Sequence, residues 1–431
     1  MTASLHACRQ PLLWLLAAAL LLTGCTTQRQ AAPETWTAAW GSAMLDQQAP
    51  APTANAVKAQ PPMRDVSLRQ ILRVSTSGST WRVQVSNLFG DQPLVIGAAS
   101  VAQVGALEPQ PTVNAATLRP LTFTGRRELT LAPHAEAWSD PVELALPRLA
   151  DMAVQLHVQS GPVTASAHPG SRIRSWATAG NRVDAPVWPD SVVQDGWWHL
   201  EAVDAQAAKP MPVLVATGDS ITDGYGVPLG SYQRWTDALS RRLAAQGRDT
   251  AVVNTGIGGG RLLRDGLGPS LVSRFERDVL ARTGATHAVV LIGVNDLGVS
   301  HRQKATTPES RAALLAELKA GFADIAQRAR ARGICLIGST VMPYGGSDYY
   351  SPQPENEADR VALNAWLREP GRFDALVDFD VLMRDPAQPS RLRADVDNDG
   401  LHPSLAGYRV MAEAFPLELL DRRCEKKLSA P

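Results

Sequence analysis

The sequence of 431 residues has little cysteine, no net charge and no apolar run long enough to cross a bilayer. It contains only four cysteines, which argues against a disulfide-stabilised scaffold. Its 42 Lys and Arg residues balance 42 Asp and Glu residues, so charge indicates neither a nucleic-acid partner nor an acidic membrane surface. The apolar run near the N-terminus, residues 12–22, is too short to span a bilayer, which takes roughly 20 residues.

The N-terminus has the pattern of an export signal. Arg9 precedes the apolar run, and L-T-G-C at 22–25 provides a small-residue cleavage site. A Cys directly after L-T-G resembles a bacterial lipobox, which implies a lipid on Cys25; an ordinary secretory signal is the alternative. We expect residues 1–25 to be a lipoprotein signal peptide with its lipobox Cys and residues 26–35 to be a tether. The protein would then be an exported periplasmic or cell-surface lipoprotein that touches the membrane only through this anchor.

The two remaining cysteines of the mature chain have different surroundings. Cys335 lies in an apolar, strand-like run, and Cys424 lies in a basic tail. A disulfide between them and two separate thiols are both compatible with the sequence. The oligomeric state is equally open.

Residues 36–201 are dominated by apolar residues that alternate with polar ones. W-R-V-Q-V-S at 81–86 and M-A-V-Q-L-H-V-Q at 152–159 alternate with period two, and turn-forming residues separate such runs. This pattern predicts an antiparallel β-sandwich of the jelly-roll kind. The segment at 202–212, rich in Ala with two prolines, is predicted to be a linker.

The pattern changes after the linker. In residues 213–431, short apolar runs alternate with helical stretches, which predicts βαβ units and a parallel sheet covered by helices. In such sheets the reactive groups gather at the carboxyl ends of the strands. Of the four segments discussed next, three follow the first, second and third predicted strands and one lies near the C-terminus.

The first segment is G-D-S-I-T at 218–222, which follows an apolar strand. Its serine is a candidate nucleophile, and a serine hydroxyl needs a base that is itself oriented by a third group. Gly218 gives the turn freedom to bend. Ser220 is equally compatible with a structural role as a helix N-cap.

Two further strand ends carry hydrogen-bond donors. The run N-T-G-I-G-G-G at 254–260 is not a dinucleotide motif, because Arg261 stands where G-x-G-x-x-G needs its last glycine. A backbone N–H of this loop and the side-chain amide of Asn295 are candidate donors to a developing oxyanion. A tight turn and an Asn that caps the next turn are the structural alternatives.

The base and its partner are predicted in D-G-L-H at 399–402. Asp399 can accept a hydrogen bond from one imidazole nitrogen of His402 while the other nitrogen faces Ser220. The run D-V-D-N-D-G that ends at Gly400 copies the start of a calcium loop, but the Glu expected at its twelfth position is Ala406. We expect no metal and no organic cofactor.

These four blocks, in this order, resemble the SGNH or GDSL-type hydrolase family over roughly residues 212–420. The resemblance implies a three-layer α/β/α, flavodoxin-like domain. It implies that Ser220 is the nucleophile, His402 the base and Asp399 its partner. The first block has Ile221 where the family usually has Leu. An α/β-hydrolase is less compatible, because G-x-S-x-G is absent.

The same resemblance implies an oxyanion hole. Its donors would be the N–H groups of Ser220 and Gly259 and the side chain of Asn295, with Gly258 or Gly260 in place of Gly259 if the loop registers differently. Residues 36–201 loosely resemble the β-sandwich that precedes the SGNH domain in some exported bacterial esterases.

The predicted reaction is ester hydrolysis through an acyl-enzyme, with an acetylated carbohydrate as the favoured substrate. Loops after the strands would contact it through Asp223, Met342 and Tyr344. Four tryptophans are candidates for stacking on sugar rings: Trp176, Trp188, Trp197 and Trp198. The alternatives are a lipase or lysophospholipase-type acyl hydrolase, a non-catalytic glycan-binding lipoprotein and an O-acyltransferase.

Overall fold

The computed structural model describes residues 35–47, 63–106, 111–207, 209–303 and 306–425. The predicted signal peptide with Cys25 and the predicted tether up to residue 34 lie outside the described residues. Within the described ranges, no helix is both long and apolar enough to cross a lipid bilayer.

The described residues up to 207, which we refer to as the β half, form antiparallel sheets. Apolar residues at alternate positions of these strands are buried, as the period-two pattern predicts. The strands are β1 (Thr35–Gly41), β2 (Leu45–Asp46), β3 (Arg64–Arg73), β4 (Gly78–Ser86), β5 (Leu94–Gln103), β6 (Arg119–Leu121), β7 (Leu129–Leu131), β8 (Glu136–Trp138), β9 (Val142–Leu146), β10 (Asp151–Ser160), β11 (Ser166–His168), β12 (Ser175–Ala179), β13 (Val192–Val193), β14 (Trp197–Trp198) and β15 (Leu200–Ala207).

Three sheets make up the β half. One has the order β1-β15-β4-β8, with β9 also paired to β4, and a second has the order β13-β12-β3-β10-β5-β6, with β7 paired to β5. A small third sheet, β14-β11-β2, carries His168 at the end of β11. Side chains from the first two sheets meet in one hydrophobic core, which includes Leu68, Val83 and Val154.

The predicted linker is partly strand. Strand β15 runs to Ala207, so residues 202–207 belong to the sheet and pair with both β1 and β4. The Ala-rich composition suggested a connection, but small residues also suit a central strand that is packed on both sides. Strand β16 then begins at Val213.

The second part of the chain, which we refer to as the α/β half, alternates strands and helices. The strands are β16 (Val213–Gly218), β17 (Ala251–Gly256), β18 (His287–Leu291), β19 (Cys335–Ser339) and β20 (Ala375–Val377). The helices are α1 (Ser220–Asp223), α2 (Trp235–Ala245), α3 (Leu271–Phe275), α4 (Val294–Gln303), α5 (Pro308–Arg332), α6 (Pro354–Leu367), α7 (Phe379–Met383) and α8 (Leu405–Ala414). Helix α3 continues as a π-helical turn, Glu276–Leu280.

The five strands of this half form a parallel sheet in the order β17-β16-β18-β19-β20. This is the 2-1-3-4-5 order of flavodoxin-like sheets, in which ligands bind where consecutive connections leave in opposite directions. Here that point lies at the carboxyl end of β16, between β17 and β18. Helix α2 packs with α8, while α5 packs with α3 and α6, as expected for helices on two faces of the sheet.

The two halves pack directly on each other, and their described residues form a single compact unit. The Ala38 N–H of β1 donates to the Thr283 carbonyl across the boundary (3.0 Å). The guanidinium of Arg282, which is buried, bonds the Ser42 carbonyl (2.7 Å) and pairs with the carboxylate of Glu201 (3.2 Å). The β half therefore packs against the segment of the α/β half that contains Arg282 and Thr283.

Candidate active site

Ser220 stands at the switch point of the parallel sheet. Strand β16 is fully buried and ends at Gly218; Asp219 then caps helix α1, because its side chain accepts the Ile221 N–H (3.0 Å). Ser220 is the first residue of α1, so the N-cap role considered from sequence belongs to Asp219. The hydroxyl of Ser220 is left free to bond elsewhere.

That hydroxyl lies beside the imidazole of His402. The Ser220 Oγ to His402 Nε2 distance is 2.8 Å, and His402 Nδ1 lies 2.9 Å from Asp399 Oδ2. Because the Asp399 carboxylate only accepts, Nδ1 carries the proton and Nε2 is the nitrogen that can accept the Ser220 proton. The structure brings together all three residues that the sequence predicted, although 182 residues separate Ser220 from His402.

The loop that carries Asp399 and His402 is tightly organised. One Asp399 oxygen also accepts the backbone N–H groups of Leu401 (3.2 Å) and His402 (2.8 Å). Partial burial favours a raised pKa of Asp399, but the hydrogen bond and charge of His402 outweigh it and the pKa is lowered. Gly400 has φ +77°, and a Cβ there would meet the Gly346 backbone at 2.1 Å, so only glycine fits this turn.

The glycine loop after β17 presents a backbone donor. The Gly258 N–H donates to Asp223 Oδ2 (3.1 Å) and the Gly260 N–H donates to the Ile257 carbonyl (2.9 Å). Between them, the Gly259 N–H makes no hydrogen bond within the described residues. As the first residue of α1, Ser220 has an N–H without an intrahelical partner. Both backbone groups named by the family resemblance are therefore free to donate to a ligand.

Asn295 lies at the start of α4, and both the nitrogen and the oxygen of its side-chain amide form hydrogen bonds. Its Nδ2 donates to the Gly260 carbonyl (2.8 Å), and its Oδ1 accepts the hydroxyl proton of Tyr350 (2.6 Å). These two bonds fix the amide orientation and leave the second Nδ2 hydrogen for another acceptor. Burial raises the pKa of Tyr350, so this hydroxyl remains protonated and keeps donating. Tyr350 was not predicted from the sequence, because it follows β19 in an irregular loop without a recognisable motif.

Two buried carboxyl groups lie under the site. Burial, together with the charge of Asp296, raises the pKa of Asp219 to about 7. Burial also raises the pKa of Asp296 to about 6. This carboxylate accepts the backbone N–H groups of Leu262 and Leu263, just after the glycine loop, and these two bonds oppose the rise. Both groups contact backbone next to the site residues, so they support the turn after β16 and the loop after β17.

The residues expected to contact substrate lie elsewhere. Met342 and Tyr344 are 2% and 1% exposed, in the core of the α/β half, because the loop after β19 folds back under α6. Asp223 is also buried and is bonded by His168 and Gly258. These three predictions are not supported, since buried and already bonded side chains have no surface to offer a substrate.

The four tryptophans proposed for sugar stacking are also buried: Trp176, Trp188, Trp197 and Trp198. Two exposed tyrosines stand beside the site instead. Tyr225 stacks on the imidazole of His402 with ring centroids 4.0 Å apart, and Tyr349 packs edge-on against Tyr350. Tyr225 lies two residues after Asp223, which was expected to contact substrate, whereas Tyr349 was not anticipated.

Comparison with known proteins agrees with this geometry. Residues 216–410 match the model of the GDSL-like Lipase/Acylhydrolase family. No curated protein sequence matches the chain.

Similar solved structures include a GDSL-like lipase from Bacteroides thetaiotaomicron, at 18% identity over 48% of this chain and 87% of that one, with a TM-score of 0.37. An esterase from Pseudoalteromonas has 18% identity over 47% and 93% of the two chains and a TM-score of 0.35. A variant of an acetyl xylan esterase from Geobacillus stearothermophilus has 22% identity over 50% and 97% and a TM-score of 0.36. The family match covers the strands and loops that carry Ser220, Asn295 and His402, so residues 216–410 form a GDSL-like lipase/acylhydrolase domain and the protein is an ester-hydrolysing enzyme.

Proposed function

We propose that the protein is a serine esterase in which Ser220 is the nucleophile, His402 the general base and Asp399 the residue that orients it. The observation that carries this assignment is the pair of hydrogen bonds from Ser220 Oγ to His402 Nε2 (2.8 Å) and from His402 Nδ1 to Asp399 (2.9 Å). Ser220 attacks the ester carbonyl while its proton moves to Nε2. The negative charge of Asp399 then stabilises the imidazolium that forms.

The oxyanion of the tetrahedral intermediate would be bound by three donors: the N–H groups of Ser220 and Gly259 and the free Nδ2 hydrogen of Asn295. Each such donor contributes about 3 kcal/mol to lowering the barrier. His402 returns its proton to the leaving alcohol, and a water molecule activated by the same imidazole releases the acid from the acyl-enzyme.

We favour a carbohydrate ester, most simply an acetyl ester, as the substrate. The groove beside Asn295 is lined mainly by polar and aromatic side chains, among them His301, Arg302, Tyr349 and Asn356. Arg302 stacks over the ring of Tyr349 at 4.1 Å, so a guanidinium and an aromatic ring line the groove together. Such a lining suits hydroxyl-rich rings, whereas a long acyl chain needs a long apolar groove.

We further propose that the protein is an exported lipoprotein with its lipid on Cys25. The L-T-G-C sequence at 22–25 motivates this proposal. The disulfide between Cys335 and Cys424 supports export, because disulfides persist in oxidising compartments. Labelling with a radioactive fatty acid in a bacterial host would test it: Cys25→Ala should lose the label, and label retained by this variant would contradict the assignment.

Hydrolysis of p-nitrophenyl acetate and p-nitrophenyl palmitate tests the reaction, with Ser220→Ala as the nucleophile-free control. We expect hydrolysis of the acetate alone and its loss in the variant, followed by acetate release from acetylated xylan. A preference for palmitate would assign the site to lipids. Acetate hydrolysis that survives in a folded Ser220→Ala protein would refute the assignment of the nucleophile.

A further inference from the structure

A short segment of the β half, residues 168–172, reaches the active site of the α/β half. At its start, the imidazole of His168 is buried, and its Nε2 lies 2.9 Å from Asp223 Oδ1. At its end, the guanidinium of Arg172 lies 5.2 Å over the ring of Tyr225, the residue that stacks on His402. The segment therefore contacts both the helix that begins with Ser220 and the aromatic residue that covers the base.

Asp223 connects His168 to the glycine loop. Its Oδ1 faces His168, and its Oδ2 accepts the Gly258 N–H at 3.1 Å, directly before the free N–H of Gly259. A Cβ at Gly170 would stand 2.4 Å from Asp223 Oδ2, so the β half approaches this carboxylate as closely as a glycine permits. The hydrogen bonds thus run from the β half through one carboxylate to the loop that presents the oxyanion donor.

The orientation of the imidazole is fixed from its other side. Nδ1 of His168 lies 2.7 Å from the Ala43 carbonyl, which only accepts hydrogen bonds. The carboxylate of Asp223 is an acceptor too, so the ring donates to both neighbours when each nitrogen carries a proton. In that form the positive ring and the negative carboxylate compensate each other in a buried place.

An apolar contact supports the same loop independently. Ala43 and Leu45 of the β half form a small buried cluster with Ile257, the residue before Gly258. Leu45 also packs closely against Gly268, further along the same loop: a Cβ at Gly268 would lie only 2.4 Å from Leu45 Cδ2. The glycine loop is consequently held by the β half through one polar and one apolar contact.

We propose that His168 is a positioning residue for the oxyanion hole: through Asp223 it holds the glycine loop so that the Gly259 N–H points at the reacting carbonyl. This inference rests on the serine-esterase function proposed above. It also gives the β half a role in the reaction itself. The α/β half supplies Asp223 and the glycine loop, but His168, the side chain that holds them, comes from the β half.

Two substitutions in the complete protein separate the hydrogen bonds of His168. In His168→Gln, the side-chain NH₂ occupies the place of Nε2 and still donates to Asp223. In His168→Asn, the shorter amide occupies the place of Nδ1, keeps the bond to Ala43 and loses Asp223. His157→Asn is the matched control, since His157 is another buried histidine of the β half that pairs with a carboxylate (Asp65, 2.9 Å).

The readouts are kcat and KM for p-nitrophenyl acetate and the thermal midpoint Tm. Displacing one oxyanion donor by a fraction of an ångström should lower kcat about 10- to 100-fold in His168→Asn, with little change in KM, because the donor acts in the transition state. His168→Gln should stay within about fivefold of the unmodified protein, and His157→Asn should match it.

Two results would overturn the proposal. One is a kcat of His168→Asn equal to that of the control. The other is an equal loss of activity in the Asn and Gln variants in parallel with a lowered Tm, which would mean that His168 only stabilises the fold. Failure of the esterase assignment is recognised separately, because Ser220→Ala would then keep its activity whatever the His168 variants do.

Discussion

Tyr350 provides the sharpest test of how the oxyanion hole is organised. Its hydroxyl donates to Asn295 Oδ1 at 2.6 Å, and Asn295 Nδ2 donates to the Gly260 carbonyl at 2.8 Å. Tyr350→Phe keeps the ring and removes only the hydroxyl, so the buried Oδ1 loses its donor and the amide is held from one end. We expect kcat to fall while the fold is retained.

The magnitude follows from the energy of one buried hydrogen bond. Leaving a buried acceptor without its donor costs about 1 to 2 kcal/mol, which corresponds to a roughly 5- to 30-fold lower kcat if the whole cost falls on the transition state. The upper bound is set by Asn295→Ala, which removes the donor itself and should cost about 100- to 1,000-fold. Tyr350→Phe must therefore be the milder change.

A double-mutant cycle on p-nitrophenyl acetate hydrolysis measures the coupling. If Tyr350 acts through Asn295, Tyr350→Phe should have no further effect on kcat once Asn295→Ala is present. Tyr344→Phe is the matched control, because the Tyr344 hydroxyl is buried in the same aromatic cluster and has no hydrogen-bond partner within the described residues. Equal effects of Tyr350→Phe in both backgrounds, or none in either, would refute the reasoning.

Three further outcomes are expected. Asp219→Asn should stabilise the protein more at pH 8.5 than at pH 5. Burial raises the pKa of this carboxyl to about 7 from its usual value near 3.8. The cost of ionising it in the folded protein is therefore complete only above pH 7 and absent below about pH 4. Urea unfolding at the two pH values measures this, and a pH-independent difference would contradict it. Reduction of the Cys335–Cys424 disulfide, which closes a separation of 89 residues, should lower the unfolding free energy by up to about 4.6 kcal/mol; an unchanged urea midpoint would show that the bond does not form. Asp399→Ala should lower kcat about 100- to 10,000-fold with the fold intact, because His402 loses its orienting partner, and a loss below about threefold in stopped-flow or steady-state assays would exclude that role.

The order of elements and the main site residues could be predicted from sequence because their signals are local. A run of buried apolar residues followed by a glycine predicts a strand end, and parallel strands bring their carboxyl ends to one edge of the sheet. That rule placed Ser220, the glycine loop and Asn295 together, and the spacing of Asp399 and His402 completed the site.

The predictions that failed depended on exposure, which a local pattern does not report. Met342 and Tyr344 follow β19 as expected for cleft residues, but their loop turns inward and buries both. The four tryptophans proposed for sugar stacking are buried for the same reason: whether a large ring faces solvent depends on which sheet covers it. Residues 202–207 looked like a linker because composition does not show that two neighbouring strands pair with them.

The sequence by itself therefore predicted the parallel sheet of the α/β half and the serine and histidine of its candidate site, because each has a signal in a few consecutive residues. Only the tertiary structure decided that His168 bonds Asp223 and that Tyr350 bonds Asn295. It also decided that Tyr225 and Tyr349 are the exposed rings beside the site. These contacts join residues from separate sheets and loops, and a hydrogen bond of 3 Å across such a distance in sequence leaves no periodic trace in the chain.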